Sequence, residues 1–140
     1  MPVVAAINRS ERAESVIEQA KRLADDVGAD LHVVHVGEPN VPRPNQEYDP
    51  ERARETAKER AVGIANKTAR NAGIEGYEPV GLVGEPVEVI LGYSEERDVE
   101  YIVVSARKRS PLGQAVFGSV TQSLLLNADR PIVAVPHASD

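Results

Sequence analysis

The chain contains no cysteine and no tryptophan, and its aromatic residues amount to one phenylalanine and four tyrosines among 140 residues. Without cysteine there is no disulfide framework, no thiolate metal site and no cysteine nucleophile. So few flat rings leave no broad platform on which bases could stack. The core must therefore be built from Val, Ile, Leu and Ala. No apolar run approaches the ~18 residues that a membrane span requires, and the opening Met1-Pro2-Val3-Val4-Ala5-Ala6-Ile7-Asn8 lacks the basic start and the length of a signal peptide. Positive charge is in short supply: 16 Lys+Arg stand against 22 Asp+Glu, a formal charge of −6. That balance argues against a general nucleic-acid binder. The expectation is one domain spanning 1–140, cytoplasmic, with neither a nucleic-acid nor a membrane partner.

Strand-like and helix-like stretches alternate along the chain. Val3–Ile7 is a continuous apolar run, as in a strand covered on both faces. Ala13, Val16, Ile17, Ala20, Leu23, Ala24 and Val27 step by three and four along one helix face, and Gly28 stops that helix. Glu18 and Arg22 form an i,i+4 pair on the other side. Leu31–Val36 is a second strand, followed by a proline-rich loop to Asp49-Pro50, which reads as an N-cap with proline at the first helical position. The helix it opens carries Ala53, Ala57, Ala61, Ile64, Ala65, Thr68 and Ala72 along its buried stripe and ends at Gly73. Tyr77–Val83 is a strand that Pro79 and Gly81 demote to an edge. Glu85-Pro86 opens a third helix that buries Val87, Ile90, Leu91 and Ser94. Val99–Val104 is the fourth strand. A helix from about Ala115 to Ala128 follows, with Val116, Phe117, Val120, Leu124 and Leu125 inward, and Pro131–Val135 is the last strand. The order β-α-β-α-β-α-β-α-β predicts an α/β fold: a doubly wound, open, parallel five-stranded sheet with helices on both faces.

The stretch Ser105-Ala106-Arg107-Lys108-Arg109-Ser110-Pro111-Leu112-Gly113-Gln114-Ala115-Val116-Phe117-Gly118-Ser119-Val120-Thr121 leaves a strand and enters a helix. Here the chain resembles the universal stress protein family, whose nucleotide-binding members carry a glycine, two residues, a second glycine, nine residues, then Gly-Ser or Gly-Thr. The resemblance runs along essentially the whole chain. It includes the Leu31-His32-Val33-Val34-His35-Val36 strand, the Gly84-Glu85-Pro86 turn and the ending Asn127-Ala128-Asp129-Arg130-Pro131-Ile132-Val133-Ala134-Val135-Pro136. Gly118-Ser119 matches the terminal pair. The two earlier glycine positions fall on Ser105 and Lys108, and the aspartate that ends the first strand in nucleotide-binding members is Asn8 here. Three of four distinctive positions therefore depart from the pattern.

The resemblance implies strand order 3-2-1-4-5, which reverses between strands 1 and 4, where open α/β sheets bind their ligands. Asn8 and Ser105 end those strands, and Val36 corresponds to a position that lies against adenine in nucleotide-binding relatives. Ser105 and Lys108 each add a Cβ where glycine would let the backbone approach phosphate. Arg107, Lys108 and Arg109 supply cations beside a helix N-terminus instead. The resulting expectation is a regulatory or binding module that holds ATP or a related phosphorylated nucleotide with Asn8, Val36, Ser105, Arg107, Lys108, Arg109, Gly118, Ser119 and Val120. Mg²⁺ is not strongly implied, because hard cations want carboxylate oxygens.

Plainer readings stand beside these. Asn8 with Glu11 three residues on reads as a helix N-cap, the Arg107–Arg109 run as a solvated loop, Ser119 as an N-cap and Gly118 as a tight lead-in to its helix. His32 and His35 face opposite sides of a strand, so they form no metal pair. There is no Gly-x-x-x-x-Gly-Lys-Ser/Thr loop, no Gly-x-Ser-x-Gly elbow and no catalytic set. The chain reads as a binding protein and not an enzyme, with slow ATP hydrolysis as a third reading. The second reading is a dimeric stress-response scaffold without nucleotide. The resemblance implies a homodimer through Ile132, Val133, Ala134 and Val135, an apolar edge.

Overall fold

A computed structural model describes residues 1–38, 44, 47–106 and 118–136. Its elements run β1 (Val3–Ile7), α1 (Ala13–Val27), β2 (Leu31–Gly37), α2 (Pro50–Asn71), β3 (Tyr77–Val83), α3 (Pro86–Glu96), β4 (Tyr101–Ser105), α4 (Ser119–Asn127) and β5 (Ile132–Val135). The five strands form one sheet in the order β3-β2-β1-β4-β5, every pair parallel. Parallel pairing demands crossover connections, and the helices supply them.

Alternate residues of each strand feed two separate apolar layers. Val3, Ala5, Ile7, Leu31, Val33 and Val103 pack under α1 and α2. Val4, Val34, Ile102 and Val104 pack under α3 and α4 with Ile90, Tyr93 and Leu124. Helix starts follow side-chain chemistry. Asp49 accepts from the amides of Glu51 (3.1 Å) and Arg52 (3.4 Å), and Glu85 from that of Glu88 (2.8 Å), each just before a proline at the first helical position. Gly28 ends α1 in the left-handed conformation, φ 70°. Arg130 bonds the Val99 carbonyl (2.8 Å) and the Asp98 carboxylate (3.1 Å), which anchors the lead-in to β5.

Helix α2 lies unusually close to the sheet. A Cβ at Gly81 would meet the Lys58 carbonyl at 2.4 Å, and one at Gly37 the Ala57 carbonyl at 2.9 Å. The inward stripe of α2 is Ala57, Ala61, Ala65 and Ala69. That strict fourth-residue row differs from the expected stripe, which lacked Ala69 and included Ala53, Ile64, Thr68 and Ala72, all four of them only half-buried. The Thr68 hydroxyl instead donates to the Ile64 carbonyl one turn back (2.7 Å).

Other expectations are corrected. Arg12, not Asn8, precedes α1, and no side chain caps that helix. Val27 lies beyond the buried face of α1 and is exposed. The i,i+4 ion pair on that helix is Lys21–Asp25 at 3.1 Å. The N-cap of α4 is Gly118, with Ser119 as its first helical residue. Val120 and Leu125 are exposed on α4, and the buried pair is Thr121 and Leu124, since only one narrow stripe of a nine-residue helix reaches the sheet. Val116 and Phe117 lie outside the described residues. Tyr93 joins the buried side of α3, where Val87 and Leu91 are only half-buried.

Candidate functional site

Where β1 and β4 lie side by side, their onward connections leave in opposite directions, and the sheet opens at its carboxyl end. A cleft of about 170 Å³ sits there. Its floor is the strand ends: Ala6, Ile7 and Asn8 from β1 and its end, Val34, His35 and Val36 from β2, Val104 and Ser105 from β4. Its roof is Pro86 and Ile90 of α3 with Val120, Thr121 and Leu124 of α4. Four of the expected residues, Asn8, Val36, Ser105 and Val120, are thus brought to one hollow. Gly118 and Ser119 stand at the head of α4, directly before Val120. Arg107, Lys108 and Arg109 lie outside the described residues.

Five hydrogen bonds shape the cleft. The Thr121 hydroxyl donates to the Ser105 carbonyl (3.0 Å), which ties the first turn of α4 to the end of β4. The Ile7 carbonyl can only accept, so the His35 Nδ1 at 2.9 Å carries the proton and braces the end of β2 against β1. Past β1 the chain turns sharply: the Asn8 Oδ1 accepts from the backbone N–H (3.1 Å) and from the hydroxyl of Ser10, and the Ser10 Oγ accepts from the Arg12 amide (3.3 Å). Asn8 is therefore a turn former, and it is one of the residues that line the cleft.

The first helical bond of α4 runs from the Gln122 amide to the Gly118 carbonyl (2.9 Å). The amides of Ser119, Val120 and Thr121 thus have no intrahelical acceptor, and Gly118 has no side chain with which to cap them. Such a helix head favours an anion. The apolar side of the cleft and these donors suit a ligand with a flat apolar part and an acidic part.

Sequence reasoning missed Pro86, Ile90, Thr121 and Leu124. The available signal was Gly84-Glu85-Pro86, which starts α3 at the strand ends and sends Ile90 inward one turn later. A larger hollow, about 690 Å³, is lined by α2 and the loop after β2, including Tyr48, Arg52 and Arg60; neither β1 nor β4 reaches it. Among the described residues, no group of three or more His, Asp or Glu side chains could hold a metal, and no helix is long and apolar enough to cross a membrane.

A doubly wound parallel sheet with a cleft at its strand reversal defines a Rossmann-like class. Within it, the chain belongs to the universal stress protein family, whose model matches residues 1–136. A universal stress protein of Bacillus subtilis, YxiE, is 27% identical over 143 residues, covering 95% of this chain and 97% of that one. A solved universal stress protein of Archaeoglobus fulgidus is 33% identical, with a TM-score of 0.67, covering 96% of this chain and 98% of the other. A second from that organism, solved in complex with dAMP, is 28% identical, with a TM-score of 0.63 and coverage of 96% and 97%.

Proposed function

We propose that the protein is a nucleotide-responsive binding module that takes ATP or a related adenine nucleotide in the cleft between the ends of β1 and β4. The single observation that carries this reading is the convergence of Asn8, Val36, Ser105 and Val120 on one hollow beside the head of α4, whose first amides have no acceptor among the described residues. The base would rest on the apolar side formed by Val36, Ile90 and Leu124. The phosphates would take the amides of residues 119–121 and the cations of Arg107–Arg109. The relative solved with dAMP supports the ligand class. The chain is read as a binder and not an enzyme, a reading supported by the lack of a carboxylate among the described lining residues to serve as a general base.

Thermal shift with ATP and AMP at millimolar concentration tests the reading, together with mass spectrometry of the supernatant after denaturing the purified protein. The expected result is a raised melting temperature, lost in Gly118→Val, which would set an isopropyl group at the head of α4. No shift and no retained nucleotide would favour the second reading, a dimeric scaffold for protein contacts. Two observations point that way: side chains stand at Ser105 and Lys108 where a backbone cradle would need glycine, and Leu125 and Leu126 are exposed on α4, Leu126 at 78%.

A further inference from the structure

The cleft has an unusual chemical sign. Among its described lining residues there is no carboxylate. Its one side-chain amide belongs to Asn8, and the orientation of that amide is decided by backbone chemistry. The Ser10 N–H can only donate, so the atom it meets at 3.1 Å must be the Asn8 oxygen. The Ser10 hydroxyl meets the same oxygen. The acceptor end of the amide is therefore occupied within the turn, and the Nδ2 end, with two N–H donors, has no protein partner among the described residues. The amides of residues 119–121 add further donors, and the Ser105 hydroxyl can act as one.

Resting on the nucleotide reading above, we infer that this site binds its nucleotide as a metal-free anion, with the Asn8 Nδ2 donating to a ligand oxygen, and that Mg²⁺ opposes binding. A magnesium ion needs hard oxygen ligands and keeps several of its waters. The described lining of the cleft offers it no carboxylate, and the Asn8 oxygen is engaged. Mg²⁺ on the phosphates would also occupy the lone pairs that the donors of the site need, and would place positive charge against N–H groups. Among the described residues, the donor set fits bare phosphate and offers nothing that fits a phosphate–metal chelate.

Isothermal titration of the full chain with ATP, in EDTA and in excess Mg²⁺, tests this. The wild type is expected to bind ATP more tightly in EDTA, whereas AMP, which chelates Mg²⁺ poorly, shows little difference. In Asn8→Asp either carboxylate oxygen can still accept from Ser10, so the turn is kept while the donor becomes an anion. That variant should bind metal-free ATP about tenfold more weakly or worse, as the loss of a hydrogen bond to a charged group predicts, and should recover with Mg²⁺. Asn8→Ala removes the acceptor of the turn together with the donor and should weaken binding in both conditions without recovery; if the aspartate variant fails to fold, the wild-type comparison of EDTA with Mg²⁺ decides the matter. Tighter wild-type binding in Mg²⁺, or unchanged metal-free affinity in both variants, overturns the inference while leaving the nucleotide reading intact. Absence of binding in either condition removes the nucleotide reading and the inference with it.

Discussion

His32 and His35 stand three residues apart on β2 and face opposite layers, as strand geometry requires. The buried His32 places Nε2 3.0 Å from the Glu78 carboxylate and Nδ1 against the Tyr93 hydroxyl. The carboxylate only accepts, so Nε2 carries the proton and Nδ1 accepts from Tyr93. Burial favours the neutral ring and lowers its pKa; Glu78 and Asp30 oppose that, while Arg97 and the amino terminus add to it. The sign follows: this site contributes stability that is whole above the ordinary imidazole pKa of about 6.5 and declines as pH falls below it. Protonation would also turn Nδ1 into a donor facing the hydroxyl. Melting temperature is expected to fall as pH is lowered from about 7.5 to about 5, and His32→Gln should flatten that dependence. A slope identical in the two proteins would place the titrating group elsewhere. The opposite facing of the two histidines was readable from period two. The Tyr93 partner, 61 residues away, was not, because spacing along the chain carries no information about contact between α3 and β2.

Helix α2 shows what governs an element. Its alanines and the glycines of β2 and β3 form one close-packed seam, so two Gly→Ala changes should have opposite signs. Gly63 lies within α2 with open space where a methyl group would stand, and alanine there should stabilise by about 0.5–1 kcal/mol. Gly81→Ala would drive a methyl into the Lys58 carbonyl and the Val62 amide, at a cost of about 1–3 kcal/mol or more. Denaturant melts of both variants check this pair. Caps and crossovers were the legible part of the fold: Asp49-Pro50, Glu85-Pro86 and Gly28 are local chemistry. The phase of the α2 stripe was less so. With alanine at 53, 57, 61, 65, 69 and 72, several faces look equally small, and only contact with Gly37 and Gly81 selects one. The candidate site divides the same way. Asn8 and Ser105 read as the ends of the strands that flank the reversal, and Val36 as what the family resemblance implies; the structure brings all three to one hollow. Ile90 and Leu124 look like any core residue, since one side chain serves both the core and the cleft wall.

At the scale of the whole molecule, the sheet has two unlike edges. The outer edge of β3 is interrupted by Pro79, which has no N–H, and its Val83 carbonyl receives Arg54 at 3.5 Å. The outer edge of β5 has no neighbouring strand among the described residues, and a groove of about 610 Å³ runs between Val133–Pro136 and the Ser15, Gln19 and Arg22 side of α1. On the proposal that two copies pair through Ile132–Val135, Val133→Lys should charge the shared edge and shift the protein to monomer in light scattering. A monomeric wild type would rule the pairing out.

That inequality of edges also limits growth. A chain with two receptive borders can add neighbours without end and polymerise into a filament, whereas one with a single receptive border is satisfied by its first neighbour. Pro79, a residue with no part in the cleft, thereby helps to make any pairing through strand edges finite.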